Sequence, residues 1–131
     1  IISTRMVNQF GFLSKVFRIF EEFETSIDVI ASSEISISLT LDKNNLDSKL
    51  IEKLNEIACV NVNLSYSIIS LISDVSKSTE VIGEIFKKLS ENNINVDMIS
   101  QGASKNNISI IVKSEHENDA LNLIHDIFFK N

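Results

Sequence analysis

Apolar residues recur along the chain at two different spacings, which divide it into predicted helices and strands. Helical spacing predicts four helices, and alternation of apolar with small polar residues predicts the strands between them. The predicted strands lie at residues 27–30, 35–41, 60–65, 68–73, 94–100 and 108–112. The apolar helix positions are Leu13, Val16, Phe17, Phe20 and Phe23; Leu50, Ile51, Leu54, Ile57 and Ala58; Val81, Ile82, Ile85, Phe86 and Leu89; and Ala120, Leu121, Ile124, Ile127 and Phe128.

The pattern occurs twice. A shift of 69 positions (97 − 28 = 69) pairs Asp28 with Asp97 and "IDVI" at 27–30 with "VDMI" at 96–99. Each copy is read as β-α-β-β-α, which is the ferredoxin-like arrangement of an antiparallel sheet with its helices on one face. We therefore predict two α+β units, residues 1–65 and 66–131. A fourth strand is clear only in the first, and the second unit's fourth strand could come from absent sequence, a partner or a different division of strands.

Composition narrows the class of protein. Of the 131 residues, 44% are hydrophobic, one is Cys and none is Pro. The formal net charge is −6. The single Cys59 fits a reducing compartment, so we expect a cytoplasmic protein, and no apolar run is long enough for a membrane span. The acidic balance and the lack of exposed strand aromatics disfavour nucleic acid as a partner. A start at Ile1 without Met suggests a fragment of a longer protein.

No catalytic or metal-binding motif is evident. The glycines are isolated and form no phosphate-binding loop. His116 and His125 are nine residues apart in the last predicted helix, so we interpret them as exposed helix residues rather than metal ligands. Cys59 is interpreted as a small core residue at the start of a strand. Binding or regulation is therefore favoured over catalysis.

Asp28 is the most informative polar residue. In a β-α-β-β-α unit the first turn leads into a helix N-terminus, where Gly11 permits a tight turn and free amides can hold an anion. An amino acid would suit this arrangement, because the amides of Phe12 and Leu13 could hold its carboxylate and Asp28 could pair with its ammonium. An amino acid with a second ammonium group would suit it especially well. The alternative is structural, because Asp97 repeats Asp28. Glu34 has no counterpart in the second unit, which suggests that only one copy binds a ligand.

The stretch "STRMVNQFGFLSKVFRIFEEFETSIDVIASSEISISLTLD" (3–42) resembles the first ACT domain of the regulatory region of aspartate kinases, in its lysine-sensitive, plant-like branch. "VDMISQGASKNNISIIV" (96–112) resembles the second, with its S-x-G-A-S-x-x-N motif at Ser100, Gly102, Ala103, Ser104 and Asn107. The resemblance covers nearly the whole chain. It implies tandem ferredoxin-like (βαββαβ) ACT domains, the first binding the effector and the second serving assembly and regulation.

The resemblance also implies a function. The family's kinase phosphorylates the β-carboxylate of aspartate with ATP, and its catalytic domain would lie upstream of this chain. This chain by itself would then be no enzyme, with no catalytic or metal site, and ATP and Mg²⁺ are expected only in the kinase domain. It would bind a feedback inhibitor, lysine first, at a homodimer interface of the ACT domains. The positions that match the family's effector site are Met6, Gln9, Phe12, Leu13, Ser26, Ile27, Asp28, Ser32, Ser33 and Glu34.

The role assigned to each segment follows the family. Met6, Gln9, Phe12 and Leu13 match the turn at the effector's carboxylate end, and Asp28 would face its ammonium groups. Gln9 departs from the smaller residue, such as Ser, of some relatives, which leaves the effector open. Threonine or S-adenosylmethionine are alternatives within the same class. Outside it, the ACT pair could serve dimerisation alone and bind no ligand.

Overall fold

The computed structural model describes residues 10–72, 78–102 and 107–129. These fall into two compact units that divide between Leu64 and Ser65. Within the described ranges, no helix is both long and apolar enough to cross a membrane. The same residues include no group of three or more His, Cys, Asp or Glu side chains placed to hold a metal ion.

The described part of the first unit, residues 10–64, contains two α-helices and one antiparallel strand pair. In chain order these are α1 (Phe12–Glu22), β1 (Val29–Ser32), β2 (Ile37–Thr40) and α2 (Ser48–Asn55), with a short 3₁₀ turn at Lys43–Asn45. β1 and β2 pair from Val29 opposite Thr40 to Ser32 opposite Ile37. The core contains residues from α1, β2 and α2, namely Phe12, Val16, Ile19, Phe20, Ile37, Leu50 and Leu54. One apolar stripe from each helix therefore packs on the strand pair.

The second unit has the complete predicted element order. Its elements are β3 (Tyr66–Ile72), α3 (Ser78–Glu91), β4 (Met98–Gln101), β5 (Asn107–Lys113) and α4 (Glu117–Phe129), with a 3₁₀ turn at Ser114–His116 before α4. The sheet order is β3-β5-β4, and both pairings are antiparallel. Alternate residues of β5 enter the core with helix residues such as Ile85, Leu89 and Ile124. This β-α-β-β-α order confirms the ferredoxin-like α+β fold predicted from the sequence.

The first helix of each unit ends in the same motif. Glu24 after α1 and Asn93 after α3 both adopt the left-handed conformation, with φ of 48° and 57°. The chain then bonds back onto the last turn, as in a Schellman motif. The N–H to carbonyl bonds that close it are Thr25 to Phe20 at 3.0 Å and Ile94 to Leu89 at 2.9 Å. Because all three pairs of positions are 69 residues apart, the repeat extends to the helix ends.

Three local predictions were wrong. Residues 60–64 are not part of a strand in the described structure, and the Val60 N–H bonds instead to the side chain of Asn55 at 3.1 Å. Residues 94–97 precede the strand instead of forming its start, since the left-handed turn at Asn93 leads directly into them. Cys59 is exposed and does not lie in the core.

The two histidines lie at different places. The sequence predicted His116 to lie in the last helix. The structure places it in the 3₁₀ turn that precedes α4. His125 is exposed within α4, and its ring stacks on Phe129 with the ring centroids 4.5 Å apart. His125 therefore has a packing role on the surface of α4.

Candidate effector site

The N-terminus of α1 has no side-chain cap among the described residues. Gly11 is the N-cap, with φ of 81°. The first intrahelical bond shown there runs from the Lys15 N–H to the Gly11 carbonyl, at 3.0 Å. The N–H groups of the first turn have no intrahelical partner and point toward the N-terminal end of the helix, where they favour a negative charge.

Phe12 and Leu13 differ in what they can offer a ligand. Phe12 is buried in the core of the first unit, so only its backbone amide is available at the surface. Leu13 is 42% exposed and can contact a ligand with its side chain as well. Two other predicted site residues, Met6 and Gln9, lie outside the described residues.

Asp28 directly precedes β1 and is exposed, with Ser26 exposed and Ile27 half-buried beside it. Its backbone N–H donates to the carbonyl oxygen of Thr40 at 3.0 Å. Within the described residues, its carboxylate has no hydrogen-bond or ion-pair partner. The acid is therefore held by its backbone, and its side chain stays available to a cation.

Ser32, Ser33 and Glu34 lie together where β1 turns into β2. The hydroxyl of Ser33 lies 2.7 Å from that of Ser36 and accepts a bond from the Ser36 N–H at 3.1 Å. The Ser33 N–H donates to the Ser36 carbonyl at 2.8 Å and closes the turn. Ser33 is thus a turn-closing residue, which the sequence alone did not indicate, and it presents Glu34 at the exposed tip.

The predicted residues do not all meet within one chain. Phe12 and Ile27 belong to one apolar cluster in the first unit. Asp28 and Glu34, in contrast, lie beyond opposite ends of β1. The five residue steps from Asp28 to Ser33 correspond to ~16 Å of extended strand at ~3.3 Å per residue.

Thr40 is a residue of this region that sequence reasoning missed. In addition to its bond to Asp28, its Oγ1 accepts the N–H of Val29 at 2.9 Å. No sequence signal marked Thr40 as the partner of Asp28.

Comparisons with known proteins agree with this architecture. A family model described as an ACT domain matches residues 69–128. A solved structure described as a C-terminal regulatory domain of aspartate kinase, from Porphyromonas gingivalis W83, is 30% identical with a TM-score of 0.82. The match covers 99% of this chain and 88% of that one. This chain belongs to the regulatory region of the aspartate kinases.

Relatives of full length place the chain within the larger aspartate kinases. Aspartokinase 2, chloroplastic, of Arabidopsis thaliana is 46% identical over 99% of this chain, which covers 26% of that protein. The E. coli aspartokinase III structure, in complex with lysine and aspartate, has a TM-score of 0.83 at 30% identity. That match covers 98% of this chain and 30% of the E. coli chain. The chain thus spans about a quarter of the curated Arabidopsis relative, and what it matches is the regulatory ACT region, not the catalytic kinase domain.

Proposed function

We propose that this chain is the feedback sensor of an aspartate kinase, with L-lysine as its effector and with association into a homodimer through its ACT domains. The single observation that carries the proposal is the exposed carboxylate of Asp28, which has no partner among the described residues, in a unit whose first described helix lacks a side-chain cap there. Lysine has one carboxylate and two ammonium groups, so it offers a partner to both features.

The charge of the exposed groups favours a cationic ligand end. Asp28 and Glu34 are both acidic and exposed, and the chain carries a net charge of −6. The backbone amides in the first turn of α1 carry partial positive charge, which suits the carboxylate of a zwitterionic ligand. The E. coli relative was solved with lysine and aspartate, which supports an amino-acid effector for this chain as well.

The length of β1 supports a site shared by two copies of the first unit. The carboxyl carbon and Nζ of lysine are separated by as many bonds as two residue steps of extended chain, about 7 Å. Asp28 and the turn carrying Glu34 are ~16 Å apart along the strand. The backbone separation of the two acids is thus more than twice the length of one lysine, which favours a site in which Glu34 comes from a second copy.

The full protein is proposed to be an ATP-dependent kinase that phosphorylates the β-carboxylate of aspartate. In this proposal ATP and Mg²⁺ belong to the upstream catalytic domain, and this chain needs no cofactor. Its location stays a prediction: the sequence suggested the cytoplasm, whereas the Arabidopsis relative is named as chloroplastic.

Regulation requires that lysine bind two states of the protein unequally. A coupling of about 1–3 kcal/mol between effector site and kinase domain is typical of allosteric proteins. In the proposed mechanism, lysine at the shared site favours one packing of the two copies, and the upstream domain responds to that packing.

Isothermal titration calorimetry with lysine, threonine, methionine and S-adenosylmethionine tests the proposal on a sample whose mass is measured by light scattering. The expected result is a dimer that binds lysine with the highest affinity. Preferred binding of threonine or S-adenosylmethionine would keep the sensor and change its effector. A dimer that binds none of the four at millimolar concentration would support a dimerisation module and overturn the sensor.

A further inference from the structure

Thr40 bonds to two successive N–H groups of the segment that carries Asp28. Its carbonyl oxygen accepts the Asp28 N–H at 3.0 Å, and its Oγ1 accepts the Val29 N–H at 2.9 Å. Val29 is the residue directly opposite Thr40 in the strand pairing. Two residues of one strand are therefore held against one residue of the other, an arrangement of the β-bulge type.

This arrangement sets the direction of the Asp28 side chain. At this bulge Val29 is buried while Asp28 is exposed. Bulges of this kind change where a side chain is aimed. Because threonine is β-branched, few rotamers are open to its hydroxyl, so the bond to Val29 restrains the strand at that point.

The second unit offers an internal comparison. The Asp97 N–H donates to the carbonyl oxygen of Ile111 at 2.9 Å, and Ile111 lies opposite Met98. The backbone bond to the aspartate is thus common to both units. An isoleucine has no hydroxyl, so the side-chain bond to the next N–H belongs to the first unit alone.

We propose that Thr40 is a positioning residue for effector recognition, whose hydroxyl holds the Asp28–Val29 backbone so that the Asp28 carboxylate meets an effector ammonium. This inference rests on the proposed function of the first unit. Thr40 itself need not touch the ligand, because it acts through the backbone of its two partners.

The test compares substitutions that separate the hydroxyl from the shape of the side chain. Thr40→Val keeps the shape and loses the hydroxyl, whereas Thr40→Ser keeps the hydroxyl. Lysine titration of the 131-residue chain is expected to show about tenfold weaker binding for Thr40→Val and near-parent affinity for Thr40→Ser. If Thr40→Val fails to fold, the lysine affinities of Thr40→Ala and Thr40→Ser are compared instead, since these two variants also differ in the hydroxyl.

A double-mutant cycle with Asp28→Asn distinguishes positioning from a general loss of stability. If Thr40 acts through Asp28, Thr40→Val weakens lysine binding in the parent but adds nothing when Asp28 is already Asn. Equal weakening in both backgrounds, or parent-like binding by Thr40→Val, would overturn the inference while leaving the lysine site in place. Absence of lysine binding by the parent would instead overturn the proposed function, and the inference with it.

Discussion

Asp28 and Asp97 occupy the same position in the two units. Each precedes a strand and donates its backbone N–H to the carbonyl oxygen of a residue on the neighbouring strand, Thr40 at 3.0 Å and Ile111 at 2.9 Å. The duplicated acid therefore has a shared structural place, as the repeat in the sequence suggested. What differs is its surroundings, since only the first unit combines the acid with the Thr40 hydroxyl and with Glu34 at the following turn.

Substitution by alanine is predicted to change stability in opposite directions at the two described glycines that lie in or next to a helix. Gly83 lies inside α3, where an added Cβ meets nothing within 4 Å, so Gly83→Ala should stabilise the second unit by up to about 1 kcal/mol. Gly11 has equal space but a φ of +81°, so Gly11→Ala should destabilise the first unit by about 1–2 kcal/mol. Chemical denaturation measures both, and a stabilising Gly11→Ala would contradict the assigned backbone conformation.

Glu24 is predicted to be a strained helix terminus. A glutamate with a φ of 48° occupies the left-handed position that Asn93 fills in the second unit. Glu24→Gly should therefore raise the free energy of unfolding by up to about 1 kcal/mol, since glycine adopts this conformation without a Cβ clash. Thermal unfolding of Glu24→Gly beside Glu24→Ala is the measurement. Equal stability of the two variants would show that the backbone at this position is not left-handed.

Ser33 is predicted to stabilise the turn that presents Glu34. Ser33→Ala removes the hydroxyl that bonds to the Ser36 N–H and Oγ, and it should lower the stability of the first unit by about 1 kcal/mol. Ser32→Ala is the matched control, because Ser32 is exposed and its side chain has no bond within the described residues. Indistinguishable denaturation curves for the two variants would argue against the closed turn.

The fold was predictable from the sequence because the repeat and the apolar spacing agree in both units. The conformation of residues 60–65 was not predictable in the same way: their alternation is typical of a strand, but the described structure has none there and the Val60 N–H bonds to the Asn55 side chain. The alternation of apolar residues records neither a side-chain cap nor the presence of a partner strand.

The candidate site was predictable in part. The resemblance indicated Asp28 and its neighbours, but it did not indicate Thr40. The repeat could not indicate it, because the connection between the paired strands is two residues longer in the second unit, where Ile111 accepts the Asp97 N–H. Only the strand pairing shows that Thr40 holds Asp28.

The central claim is that lysine binds the first unit through the Asp28 carboxylate. The most direct measurement is a calorimetric lysine titration of the parent, Asp28→Asn and Asp97→Asn, each confirmed as folded by circular dichroism. Both substitutions keep the backbone N–H bond and remove one charge, so the second unit provides the matched control. We predict at least about 30-fold weaker binding for Asp28→Asn, as expected when one partner of a charge pair is removed, and parent affinity for Asp97→Asn. Full lysine affinity in Asp28→Asn, or an equal loss in both variants, would contradict the account.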